Sequence, residues 1–220
     1  MKIFIKKLAI CFLSFSLLLI APIHSTFADE NNQMIITVDE YGYEIAVDAE
    51  GRNYKYFDIY GNYVPASQAL MEEETIYYST NRAVARVAPY SFTIRSSTTG
   101  YGSAKKVSAS CKGPCTITYS NTITTTQTFS ITLSASLQAK FIATFQAQTG
   151  ATWSKSSSTS LSYSLPVDSG KTGAVYFKPK IRTVQSTYYD DNYSPTYFTA
   201  TCPVTLDSGV TDGLFYVVYE

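Results

Sequence analysis

The most regular pattern of apolar and polar residues in the chain runs from Phe129 to Ala147. Every odd-numbered position in it is apolar, and every even-numbered position except Ile142 is polar. Strict alternation places the two kinds of side chain on opposite faces of a β-strand, whereas a helix would spread these apolar residues around its axis. The pattern therefore predicts one unusually long strand or two strands joined by a turn. Helix is the alternative, because Ala, Leu, Gln and Lys at 135–148 favour it locally.

Strand-like stretches follow this segment to the end of the chain. All even positions from 152 to 164 are Ser or Thr, and apolar runs recur at 174–177, 181–189, 197–201 and 214–219. Runs of this length bounded by turn residues are typical of antiparallel β structure. We expect an all-β fold, with a small N-terminal β-meander followed by an elongated antiparallel sheet or sandwich that has long Ser/Thr-rich strands.

The meander is predicted from a short repeat of four-residue turns. The three copies are Asp39-Glu-Tyr-Gly42, Asp48-Ala-Glu-Gly51 and Asp58-Ile-Tyr-Gly61. Asp at the first position of a turn accepts backbone hydrogen bonds, and Gly at the fourth tolerates a left-handed backbone. The predicted units are an acidic β-hairpin repeat module at 29–65, a linker with a short helix at 66–88, and a basic β-sandwich-like domain at 89–220.

The N-terminus has the order of a secretory signal peptide. Three lysines precede an apolar run, and small residues precede the acidic Asp29. That order predicts a signal peptide at 1–28, cleaved after Ala28, and hence a secreted, extracellular protein. The apolar run is shorter than the roughly 20 residues that a spanning helix needs, which argues against a membrane anchor.

Charge is distributed unevenly along the predicted mature chain. Residues 29–75 hold eleven acids and two bases, whereas residues 90–182 hold ten bases and the single acid Asp168. Such asymmetry suggests either mutual docking or separate partners. In an exported protein, the lysines and arginines of this basic part are expected to meet anionic lipid or wall polymers rather than nucleic acid. A further hypothesis is that residues 29–88 form an acidic propeptide that masks the basic part.

The candidate chemistry is sparse. The only histidine, His24, lies in the predicted signal peptide, which removes Ser-His-Asp triads and histidine-ligated metals from the mature chain. We therefore predict no catalytic residues, no metal, no cofactor and no enzyme activity. Cys111, Cys115 and Cys202 are candidates for a disulfide; Cys111 and Cys115 could close a small loop, or one of them could bond to Cys202.

Several stretches together resemble one known family. They are Thr122–Ser136, Thr159–Pro166, and Gly170-Lys-Thr-Gly173 before Val175-Tyr-Phe177. Over about residues 90–190 the chain resembles the aerolysin-like toxins, with the epsilon-toxin and mosquitocidal-toxin branch nearest. The resemblance implies elongated twisted sheets with Ser/Thr-rich strands, and one amphipathic segment that rearranges into a β-hairpin. It also implies homo-oligomers that assemble a barrel.

Two functional hypotheses follow from the sequence. The first is a secreted, non-catalytic β protein that acts at a cell envelope or membrane surface. The alternative is an aerolysin-like pore-forming protein that uses the amphipathic segment 129–147, because a membrane-spanning strand needs only about 9–11 alternating residues. Its candidate membrane-facing residues are Phe129, Ile131, Leu133, Leu137, Phe141 and Phe145. The same apolar face could instead pack against another sheet in a sandwich.

Overall fold

The computed structural model describes residues 26–29, 32–71, 74–78 and 88–219, which form an antiparallel β structure with two helices. The strands are β1 Thr26–Asp29, β2 Asn32–Val38, β3 Glu44–Val47, β4 Asn53–Phe57, β5 Tyr63–Val64, β6 Glu74–Tyr77, β7 Ser91–Tyr101, β8 Lys105–Lys106, β9 Cys111–Lys112, β10 Cys115–Thr126, β11 Thr128–Phe129, β12 Ser156–Val167, β13 Thr172–Tyr189, β14 Pro195–Pro203 and β15 Gly213–Tyr219. The helices are α1 Ala66–Ala69 and α2 Ala135–Thr149. The predicted all-β class is confirmed, while most of the predicted signal peptide lies outside the described residues.

The 18-residue strand β13 is the longest strand among the described residues and joins two parts of one large sheet. Its first half, 173–179, pairs with β15, and its second half, 181–189, pairs with β14; β7 covers the other edge of the second half. Pro179 lies where the partners change. Because proline has no N–H to donate, a position between two ladders is one of the few it can occupy in a central strand.

The N-terminal meander belongs to the same sheet. Strands β2, β3 and β4 each end where one of the three predicted turns begins, and β4 pairs with β15 from Asn53 to Phe57. Each predicted turn is present, with the Gly N–H donating to the Asp carbonyl at 3.0, 3.0 and 3.1 Å. The glycines have φ of 85, 79 and 82°, the left-handed region that favours glycine. The acidic module is therefore joined to the rest of the sheet by main-chain hydrogen bonds.

The second of these turns contains a buried carboxylate. Asp48 is only 3% exposed, and its Oδ2 accepts hydrogen bonds from the Tyr54 hydroxyl at 2.7 Å and from Arg52 Nε at 2.6 Å. Burial raises the pKa of Asp48, but the hydrogen bonds from Tyr54 and from the backbone and side chain of Arg52 outweigh it. They lower the pKa from 3.8 to about 2.

We expect Asp48 to make the fold sensitive to acid. Its folded-state pKa is depressed, so its contribution is present above the unfolded-state pKa of about 4 and is lost as pH falls towards about 2. Asp48→Asn cannot titrate, so the difference in free energy of unfolding between wild type and this variant should shrink from pH 5 to pH 2. Urea unfolding at stepped pH measures it; a difference that stays constant would contradict the assignment.

The two halves of the sheet are covered by different elements. The hairpin of β10 and β12 packs Ile117, Ile123, Leu165 and Val167 against the first half of β13 and against β15. On the opposite face of this half, the short helix α1 buries Ala66 and Ala69 beneath a group of tyrosines that includes Tyr56 and Tyr216. The second half of β13, together with β7 and β14, is covered by α2.

Helix α2 contradicts the strand predicted over 129–147. The Ser134 side chain accepts a hydrogen bond from the Leu137 N–H at its start, and Gly150 ends it in the left-handed region with φ of 70°. Both are ordinary helix boundary signals. The physical reason for the error lies in the sizes of the apolar residues, since the large ones at 137, 141 and 145 recur every fourth position and form one stripe on α2.

Candidate functional site

The hairpin of β10 and β12 presents a surface made of hydroxyl groups. The two strands pair over their full length, from Cys115 opposite Val167 to Thr126 opposite Ser156, and neither contains a charged residue. Facing hydroxyls on the outer side form hydrogen bonds across the hairpin. The pairs are Thr118–Ser164 at 3.4 Å, Thr122–Ser160 at 2.6 Å and Thr124–Ser158 at 2.9 Å. This surface is polar but uncharged.

Buried hydroxyls hold the inner side of the hairpin to the body of the protein. Ser157 Oγ donates to the Gly209 carbonyl at 2.8 Å, and Thr159 Oγ1 donates to the Thr211 carbonyl at 3.1 Å. These bonds satisfy polar groups that would otherwise be costly to bury. They lie at the end of the hairpin from which residues 127–155 emerge.

The segment 127–155 connects the two strands of the hairpin. Its first step continues their ladder, because the Gln127 N–H donates to the Lys155 carbonyl at 2.8 Å. It then leaves the hairpin as β11, which pairs with β14, and continues as α2. The whole connection therefore packs on the second half of the sheet, and we call it the connecting segment.

All six predicted membrane-facing residues lie in the core beneath this segment. Phe141 and Phe145 are completely buried and Leu133 is 7% exposed, while Phe129, Ile131 and Leu137 are partly buried. The Phe141 ring lies 5.1 Å from Trp153 and 5.5 Å from Phe129, centroid to centroid. The structure thus brings the predicted residues together, but against the sheet, and half of them (Leu137, Phe141 and Phe145) lie on α2.

The outward face of α2 is rich in alanine. The exposed helix residues include Ala135, Ser136, Ala139, Lys140, Ala143, Gln146 and Ala147. The apolar positions of the connecting segment therefore fall into two classes. Large side chains are buried against the sheet, whereas the alanines between them face outward.

A second surface feature lies at the far end of β13, in the turn that leads to β14. The turn Asp190-Asp-Asn-Tyr193 has the geometry of the three Asp-x-x-Gly turns: Asp190 Oδ1 accepts from the N–H groups of Asn192 and Ser194 at 2.9 and 2.8 Å. Tyr193 occupies the glycine position with φ of 62°. A left-handed backbone costs a residue with a side chain roughly 1–2 kcal/mol.

Tyr90 has the same unusual backbone beside this turn. Its φ is 56°, and its N–H donates to the Asp190 carbonyl at 3.4 Å. The Tyr193 N–H donates to that same carbonyl at 3.3 Å, so both residues converge on one atom. The two tyrosines are 45% and 55% exposed. We call Tyr90, Asp191 and Tyr193 the aromatic tip.

The charged groups are acidic at the aromatic tip and basic near the other end of β13. The charge of Asp191 is the main cause that raises the pKa of the Tyr90 hydroxyl, which indicates that the carboxylate is close to it. At the other end of β13, the exposed lysines of β8 and Lys112 of β9 lie at the sheet edge. Lysines on edge strands commonly prevent unwanted strand pairing, so a structural role suffices for them.

The structure decides between the disulfide pairings that the spacing of the cysteines left open. Cys111 and Cys115 are bonded to each other, and Cys202 is buried without a disulfide. Burial raises the pKa of the Cys202 thiol to about 11, which keeps it protonated and unreactive. This thiol packs in the same core as Phe141 and Phe145.

The described residues contain no group of three or more His, Cys, Asp or Glu side chains that could hold a metal ion. Within the same ranges, no helix is long and apolar enough to cross a membrane. No protein-family model matches the chain, and a search of curated proteins gives no significant match.

Proposed function

We propose that the chain is an exported, non-catalytic β protein that acts at a cell envelope or membrane surface, and that it does so by extending the β10–β12 hairpin into a membrane. The observation that carries the proposal is the register of that hairpin. If the pairing from Thr126–Ser156 and Gln127–Lys155 continues, the connecting segment forms an amphipathic hairpin without any slip in register.

In the continued register, apolar residues of one strand would face apolar residues of the other. Phe129 would face Trp153, Ile131 would face Ala151, and Leu137 would face Phe145. All odd positions from 129 to 153 are apolar except Thr149, and the even positions are polar apart from Gly150 and from Ile142 beside the new turn. In β10 and β12 the odd-numbered Ile117, Ile123, Leu165 and Val167 already face the core, so the apolar face of the extension would continue theirs.

The length of the segment suits a membrane. On either side of Phe141, residues 129–140 and 142–153 provide strands somewhat longer than the roughly 9–11 residues that a spanning strand needs. A lone hairpin would leave backbone N–H and C=O groups unpaired in lipid. Hairpins from several copies would therefore have to pair with one another, which agrees with the homo-oligomer implied by the resemblance to aerolysin-like toxins.

The energetic balance makes such a change depend on the surroundings. In water, extension would expose the apolar core under α2, including Phe141, Phe145 and Trp153. Each large side chain removed from its buried site loses about 1.5–3 kcal/mol. Lipid supplies an apolar environment for the same side chains, so the membrane offsets this loss and favours the hairpin.

Vesicle leakage tests the proposal directly. We expect the purified mature protein to release trapped dye from vesicles of phosphatidylcholine, with or without phosphatidylglycerol, and to form oligomers that survive mild detergent. Retention on cell walls without leakage would support envelope binding but refute hairpin insertion. A protein that stays monomeric, releases no dye and is retained on neither surface would refute the whole proposal.

A further inference from the structure

The aromatic tip differs from the other turns of the protein in one respect. Three turns with the same hydrogen bonds use Gly42, Gly51 and Gly61 at the left-handed position, whereas the fourth uses Tyr193. A strained backbone persists where the surrounding structure enforces it, and such residues concentrate at functional sites. The fold could adopt this turn with less strain using glycine, so the side chain of Tyr193 is the feature that needs an explanation.

Burial does not explain either tyrosine. The rings of Tyr90 and Tyr193 remain about half exposed, whereas Tyr188 on the adjoining strand contributes to the core under α2. Because their N–H groups converge on the Asp190 carbonyl, the two residues lie side by side at one end of β13. The tip therefore offers two half-exposed aromatic rings, and neither tyrosine belongs to one of the hydrophobic core clusters.

The charge at the tip limits the kind of ligand. Asp190 is committed to the turn through its Oδ1, whereas Asp191 is exposed and contacts the Asn192 side chain at 3.1 Å. The charge of Asp191 also raises the pKa of Tyr90, which places the carboxylate near that ring. Aromatic faces attract cations, and quaternary ammonium groups are typical ligands of such sites. The carboxylate adds attraction for a cation and repels anionic groups.

We propose that Tyr90, Asp191 and Tyr193 bind the choline headgroup at the surface of a lipid bilayer. Tyrosine is favoured at the headgroup level of membranes because its ring is apolar and its hydroxyl is polar. Two half-exposed rings at the end of a strand suit an extended surface of headgroups better than a single small molecule in solution. This inference rests on the proposed membrane function, for which it names the contact with lipid.

The test compares vesicle binding of the mature protein across headgroups and variants. Wild type should bind phosphatidylcholine vesicles at least tenfold more tightly than phosphatidylethanolamine or phosphatidylglycerol vesicles, and soluble phosphocholine should compete. Tyr193→Gly should weaken binding to phosphatidylcholine about tenfold while its thermal midpoint stays the same or rises. Tyr90→Asn, which tolerates the same backbone, and Asp191→Asn should each weaken binding severalfold.

Tyr60 supplies the matched control. It is 69% exposed on the turn that begins at Asp58, away from the aromatic tip, so Tyr60→Ala should leave binding unchanged. Equal binding by Tyr193→Gly and wild type, or no preference for choline, would overturn the inference. Leakage separates this outcome from the earlier proposal: unchanged leakage by Tyr193→Gly refutes the site alone, whereas choline-dependent binding without leakage refutes hairpin insertion alone.

Discussion

Replacing Ala135 by Asp is expected to abolish dye release from vesicles while leaving the folded protein intact. Ala135 is exposed in the first turn of α2, where a carboxylate is favourable beside the helix N-terminus. In the extended hairpin it would face lipid opposite Ala147, near the middle of the strand. A charged side chain facing the bilayer midplane is costly: roughly 2–4 kcal/mol for Arg or Lys and less for Asp, and each copy in an oligomer adds this cost.

The neighbouring position provides a control of the same chemistry. Ser136 is also exposed in the first turn of α2, so Ser136→Asp should fold equally well. In the extended hairpin it belongs to the polar face, and Ser136→Asp should retain most of the wild-type leakage. Equal loss of leakage in both variants would contradict the predicted faces. Full leakage by Ala135→Asp would show that the segment does not enter lipid in this register.

Phe141→Ala should cause the largest loss of stability among single substitutions in α2. The Phe141 side chain is completely buried, and its ring lies 5.6 Å from Phe92 and 5.5 Å from Phe198 as well as near Trp153. Removing a buried phenyl group leaves a cavity and typically costs about 3–5 kcal/mol. Chemical denaturation followed by the fluorescence of Trp153, the only tryptophan, measures this change in the free energy of unfolding.

Phe141→Leu separates the loss of volume from the loss of an aromatic ring. A hydrophobic replacement that keeps most of the volume usually costs less than about 1.5 kcal/mol. We therefore expect Phe141→Leu to lie much closer to wild type than Phe141→Ala. A change below 1 kcal/mol for Phe141→Ala would mean that α2 does not pack on the sheet as described.

The incorrect prediction of a strand over 129–147 has a specific cause. Alternation of apolar and polar residues is decisive for a strand only when the apolar residues are of similar size. Here Leu137, Phe141 and Phe145 alternate with alanines, so these large side chains share one face of α2 and the alanines can face water. The sequence is compatible with both structures, and contacts with Phe92, Val184 and Phe198 on the sheet decide in favour of helix.

The sequence predicts features that depend on neighbouring residues better than features that depend on residues far apart in the chain. The Asp-x-x-Gly turns, the strands between them and the long Ser/Thr-rich strands depend on neighbouring residues, and the structure contains them. The bond between Cys111 and Cys115 depends on the path of the chain, so spacing left it among alternatives. The aromatic tip was missed for a related reason. Asp190-Asp-Asn-Tyr193 has the residues of a turn, but only the path of the chain brings Tyr90 beside it.

The continuity of β13 limits how far any rearrangement of α2 can spread. Release of the helix would uncover only the half of this strand beyond Pro179, since α2 packs with Val184 there. The half before Pro179 would keep its ladder to β15 and its cover of Ile117, Ile123, Leu165 and Val167. In the proposed rearrangement, this one strand would join a half that changes its covering layer to a half that stays folded, so the segment would refold without unfolding of the whole protein.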